Sequence, residues 1–192
     1  QYNLIATPGY PELMQNMVEF NTDRGLTAIV LGDTPFRLPA NGTALTNYGM
    51  NTINAVDNND TAAVTYDTGL AMFYPSGYTS DLAGNYIMVP PSHMMLRTIV
   101  RSDEVAFPWL APAGTLRGLV DNLSSVGYVD STTGTFVSVG VTQGLRDVLY
   151  TNKINPLTYL PSTGLIVYGQ KTLASNSSSL DRINVARLVN YL

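Results

Sequence analysis

The sequence predicts an α/β fold on a largely parallel sheet flanked by helices, and three observations predict it. Short, unbroken apolar runs at residues 27–31 (TAIVL), 70–74 (LAMFY) and 86–89 (YIMV) read as strands, the first of them buried. Stretches with apolar residues at helical spacing alternate with them. The first strand, helix and second strand together fill about 35 residues, the length of a parallel βαβ unit.

The elements follow in order. Residues 2–7 (YNLIAT) form an apolar run closed by Pro8 and Gly9, a strand and its turn. Past Pro11, the residues Leu13, Met14, Met17 and Val18 fall at helical spacing until Gly25 supplies a stop. Residues 27–31 make the next strand, ended by Gly32, Asp33, Thr34 and Pro35. Ala44, Leu45, Tyr48, Ile53 and Val56 suggest a second helix over residues 43–56, followed by a loop at residues 57–60 (DNND). Residues 70–74 are the third strand, residues 75–84 an exposed, turn-rich insert, and residues 86–89 a fourth strand stopped by Pro90 and Pro91. Ser92 is placed to cap a helix reaching about Asp103, with Met95, Leu96, Ile99 and Val100 on one face.

The second half is less regular. Residues 107–118 (FPWLAPAGTLRG) contain two Pro and two Gly and read as an ordered linker. Residues 119–129 have mixed β character, and residues 142–152 a helical pattern that brings Leu145, Val148 and Leu149 together. Residues 157–159 and 165–169 form a hairpin around the turn at 161–164. Ser178 and Asp181 have the spacing of a capping box, opening a last helix on which Val185, Leu188, Val189 and Leu192 follow the i, i+3, i+4, i+7 pattern.

Composition excludes several functions. Ten Lys and Arg stand against fourteen Asp and Glu, a net charge of −4, and charged residues make up 12% of the chain, about half the usual quarter. Polarity rests on 16 Asn and 12 Tyr, with only two Lys, so a nucleic-acid partner is not expected. No run approaches 18 apolar residues and the first residues lack a signal-peptide pattern, so no membrane partner is expected. With no Cys and a single histidine, His93, the chain carries neither thiol chemistry nor a His-based metal site, and no cofactor is expected.

Few residues offer catalysis. A serine-type hydrolase would use Ser92, His93 and Asp33 in a strand-end cleft, where sites collect in parallel sheets. Adjacent Ser92 and His93 leave a helix start in different directions, and no Gly-x-Ser-x-Gly elbow is present. An N-cap serine and a first-turn histidine are the expected arrangement. Asp33 could also hold Mg²⁺ at a strand end, although one carboxylate better suits an Asx-type turn. Asp57 with Asp60, and Asp103 with Glu104, are paired acids in positions expected to be solvated. Trp109, between two prolines, fits either a carbohydrate-binding or adhesion platform or an anchor of the linker onto the core. Arg182 and Arg187 diverge by about 140° on a helix, so they do not form one clamp.

Several segments together resemble the contractile tail sheath proteins of bacteriophages and related injection machines. They are residues 4–9 (LIATPG), 29–35 (IVLGDTP), 70–75 (LAMFYP), 89–92 (VPPS), 101–103 (RSD), 107–118, 145–156 (LRDVLYTNKINP), 164–172 (GLIVYGQKT) and 180–192 (LDRINVARLVNYL), in family order across nearly the whole chain. The resemblance implies a mixed, largely parallel sheet flanked by helices, with a second α+β portion sharing the core. It divides the chain into portions 1–115 and 116–192. It implies a structural, non-enzymatic subunit of the virion tail, made in the host cytoplasm. Such subunits stack as hexameric rings around an inner tail tube and rearrange on contraction to drive injection. Arg182 and Arg187 are then candidate contacts with other sheath subunits or the tube protein. In this family terminal arms add strands to neighbouring subunits. Gln1 stands just before a buried strand and Leu192 closes a helix without a stop signal, so the sequence reads as a trimmed core lacking both arms and is expected to be monomeric alone.

Overall fold

The computed structural model describes residues 3–52, 62–63, 69–121 and 123–192. Their elements run β1 (Leu4–Ala6), a 3-10 turn (Pro11–Leu13) entering α1 (Met14–Asp23), β2 (Ile29–Asp33), α2 (Gly42–Gly49), β3 (Leu70–Tyr74), β4 (Ser76–Ser80), β5 (Tyr86–Val89) and α3 (Pro91–Val105). Then come α4 (Gly114–Arg117), β6 (Ser125–Val129), β7 (Phe136–Ser138), α5 (Gln143–Thr151), β8 (Ile154–Leu160), β9 (Gly164–Val167), a 3-10 turn (Ser179–Asp181) and α6 (Ile183–Tyr191).

The first sheet has the order β1-β2-β3-β8-β9, parallel through β8 and ended by antiparallel β9. Helices cover both of its faces, which is why β2 and β3 are buried at every position. Alternate residues feed two cores. Val30, Leu70, Met72, Tyr74 and Ile154 meet Met14 and Met17 of α1, Leu45 of α2 and Leu149 of α5. Ile29, Leu31, Ala71, Phe73 and Leu157 meet Met94, Met95 and Ile99 of α3 and Ile183 and Ala186 of α6. Gly32 lets α1 lie close, since a Cβ there would stand 2.5 Å from the Met14 methyl carbon.

A second, antiparallel sheet has the order β5-β4-β6-β7. Both sheets draw strands from either side of the linker, so the mixed α/β class with a second portion sharing the core holds. The expected exposed insert at residues 75–84 is corrected. It contains β4, whose Ser76 and Gly77 are buried between β5 and β6, and only the turn beyond Ser80 is open. The fourth apolar run, β5, belongs to this sheet. The second helix ends at Gly49, and Ile53, Val56 and the expected loop at 57–60 lie outside the described residues.

Polar side chains close the gaps in the ladders. The buried Asn155 amide donates to the Met72 carbonyl at 3.0 Å and the Lys171 carbonyl at 2.7 Å, and accepts from the Lys171 N–H at 2.6 Å. It thereby serves a strand whose next residue, Pro156, has no N–H to give. Nothing in the sequence marks Asn155 for this role, because an isolated Asn inside an apolar run carries no signal.

Candidate assembly surface and the strand-end cluster

Asp33 closes β2 and Ser92 opens α3, and the fold brings the two together. The Asp33 carboxylate accepts the Ser92 N–H at 2.6 Å, the Ser92 hydroxyl at 2.9 Å and the Gly9 N–H at 2.8 Å. Ser92 is therefore not the expected N-cap. Pro90 holds that position and Pro91 opens the helix, while Asp33 satisfies the freed N–H across the fold. Nor does Asp33 make a local turn. Its charge faces the positive end of the α3 dipole. Burial pushes its pKa above the ordinary value, and the bonds from Ser92 and Gly9, with the His93 charge, pull it partly back.

This geometry does not form a triad. Ser92 is fully buried and its hydroxyl proton is committed to Asp33. Asp33 lines an open cavity of about 480 Å³ with Glu12, Phe36, Arg37 and Tyr48. His93 is exposed and lines a separate cleft of about 660 Å³ with Arg97 and Asp121. Among the described residues the His93 side chain makes no hydrogen bond to Ser92 or Asp33, so the contact through which a base would take the serine proton is not formed. Among the described residues, no group of three or more His, Cys, Asp or Glu could hold a metal ion, and no helix is long and apolar enough to cross a membrane. The Asp57 and Asp60 pair lies outside the described residues.

The arginines act largely inside the chain. Arg187 is 3% exposed and grips Asp103 through its two terminal nitrogens, Nη1 and Nη2, at 2.9 Å and 2.5 Å. Asp103 thus ties α3 to α6 instead of standing solvated at a helix end. Arg182 pairs with Asp181 at 2.7 Å and keeps 35% of its side chain exposed. Asp181 is buried in the 3-10 turn before α6, not in the first turn of that helix, and Ser178 caps that turn by accepting the Leu180 N–H. Arg97 and Arg101 of α3 share Asp121, at 2.9 Å and 3.1 Å, fastening the linker's far side.

Trp109 is half-buried, stacked on Phe107 at 4.8 Å between ring centroids and tilted against Tyr191 at 5.2 Å. Its contact with Tyr191 anchors the linker to α6, as the anchor reading expects. A second aromatic stack, Tyr86 on Tyr78 on Phe136, crosses the second sheet with centroids 5.0 Å and 4.1 Å apart. Outside these clusters the surface offers sheet edges and scattered apolar side chains, including Leu82 in the β4–β5 turn, Val189 on α6 and Leu192 just past it. Extended edges and neutral side chains suit association better than turnover.

The architecture is that of contractile sheath subunits. The chain aligns with a chain of the PVC sheath complex, an extracellular contractile injection system in its contracted state, with a TM-score of 0.65 and 23% identity over 99% of this chain and 45% of that one. In sequence it is a relative of phage tail sheath proteins, as its motifs indicate. It is 38% identical to the tail sheath protein of Enterobacteria phage T4 over 92 residues, which are 48% of this chain and 12% of that protein. To the tail sheath protein of Vibrio phage KVP40 it is 35% identical over 91 residues, 47% of this chain and 12% of that protein. The match therefore spans about an eighth of the length of these curated relatives. No family model matches the chain.

Proposed function

We propose that this chain is sheath-forming material of a contractile phage tail: structural, without enzymatic activity, and located in the virion. The observation that carries the reading is the coincidence of a sheath fold over 99% of the chain with 38% identity to a phage tail sheath protein. The buried, mutually bonded Ser92 and Asp33 support a structural role for the strand-end cluster. Its partners are other sheath subunits, stacked as hexameric rings around the inner tube and exchanging contacts on contraction. Low charge favours such contacts, because few ions must be desolvated each time a surface is covered.

Portions 1–115 and 116–192 are the proposed organisation, two lengths of chain woven into one core. Arg182 is the more accessible of the two proposed contact residues, while Arg187 meets a neighbour only if α6 moves. Sedimentation and negative-stain microscopy test the reading on the chain alone and on the whole product of the gene that encodes it. A monomer in the first case and rings or tubes in the second are expected. Failure of both to assemble at any salt or protein concentration would overturn it.

A further inference from the structure

Helix α6 rests on its more polar face. At 100° per residue, Ile183, Ala186, Arg187 and Asn190 share one side of the helix. Ile183, Ala186 and Arg187 are its buried residues. Val185, Leu188, Val189 and Leu192 fall on nearly the opposite side, with Val189 55% and Leu192 94% exposed. That apolar stripe is therefore half-buried at Val185 and Leu188 and open at Val189 and Leu192, and the only fully buried apolar residues of α6 are Ile183 and Ala186.

The seat is also short of hydrogen bonds. Among the described residues, the buried side-chain atoms without a partner include Ser102 Oγ on α3, Gln170 Oε1, Thr172 Oγ1, Asn184 Oδ1 and Arg187 Nε. Asn184 and Arg187 belong to α6, Gln170 and Thr172 to the segment bonded to its start, where the Thr172 N–H donates to the Asp181 carbonyl and the Ile183 N–H to the Gln170 carbonyl, and Ser102 adjoins Asp103, the partner of Arg187. Buried polar atoms are ordinarily paired, so their concentration under one helix marks a contact that water would satisfy better. The Asp103–Arg187 pair adds little net affinity, because both ions regain full hydration once the helix leaves.

We propose that α6 is a latch, opening and reclosing as one unit while both sheets stay folded. A nine-residue helix does not persist alone, so on release its amides exchange with solvent together. The inference is independent of the sheath reading and is tested on the chain alone.

Native-state hydrogen exchange decides it. The amides of Thr172, Ile183, Ala186, Arg187 and Leu188 are expected to share one opening, with exchange at least about 100-fold faster than in Leu70–Tyr74 of β3. Asp103→Asn strands the Arg187 charge in the closed state, and should speed that opening by at least a further tenfold, roughly, with β3 unchanged. Three results would overturn the latch: α6 exchanging as slowly as β3, a gradient of rates falling inward from Leu192 as in simple fraying, or an equal acceleration of α6 and β3 in the variant. If Asp103→Asn does not fold, the wild-type rates alone decide between a latch, a fraying end and a helix as stable as β3.

Discussion

At the level of single residues, one carboxylate joins three segments that lie far apart in the chain. Asp33 holds the turn after β1 through Gly9 and the start of α3 through Ser92. Asp33→Ala would leave two N–H groups and a hydroxyl unpartnered, and should cost about 2–4 kcal/mol in denaturant unfolding. Asp33→Asn keeps the shape and some of the acceptance, and should cost less at neutral pH. Burial raises the folded-state pKa of Asp33 above its ordinary 3.8, so between those two values the folded chain binds the proton more tightly than the unfolded one. The wild type should therefore gain stability relative to Asp33→Asn as pH falls through that window, and lose it as pH rises. Unfolding midpoints of the two proteins across that range check the sign. A relative loss in acid would mean that the hydrogen bonds outweigh desolvation.

Among the elements, the close contact between β6 and β7 is set by a glycine. A Cβ on Gly127 would stand 2.0 Å from the Val137 carbonyl oxygen, a backbone atom that cannot swing aside. Gly127→Ala should cost about 3 kcal/mol or more and disturb the Tyr78–Phe136 stack, seen as a changed near-ultraviolet dichroism. Gly144 in α5 has open space around it, so Gly144→Ala should be neutral or stabilise by up to about 1 kcal/mol. Elements whose signals are local were legible in the sequence. Strand β3 matches the run LAMFY residue for residue, and α5 lies within the expected 142–152 with Thr142 as its cap. Elements formed by their partners were not. β4 contains Ser, Gly and Thr with no apolar run, and becomes a strand because β5 and β6 bond to both its edges. The buried face of α6 was not legible either, because its periodicity shows an apolar stripe without saying which neighbour covers it. Ser92 and Asp33 were rightly brought together by the rule that sites gather at strand ends, but the chemistry between them is helix capping. Residues 101–103 carried the Asp103 that seats α6, with nothing in their spacing to reveal Arg187 as its partner.

For the whole molecule, the path of the chain through both sheets decides how it unfolds. The first sheet needs β8 and β9 from beyond the linker, and the second needs β6 and β7 to complete β4 and β5. Residues 1–115 alone would expose the β8-facing edge of β3 and strip α5 from one core and α6 from the other. Residues 116–192 would keep the β8–β9 hairpin and the β6–β7 pair with little to pack against, and isolated two-stranded units are marginal in water. The two portions should therefore be unfolded when made separately, by circular dichroism and amide dispersion, and should recover the native spectrum when mixed. In the intact chain, loss of secondary structure and the fluorescence of Trp109 should give coincident midpoints, because the sole tryptophan packs on Tyr191 across the boundary between the portions. Local release of α6 lowers this expectation only for the fluorescence, which would then move first and by a small amplitude. A stable, dispersed spectrum from either portion by itself would show that the two lengths of chain are separate domains.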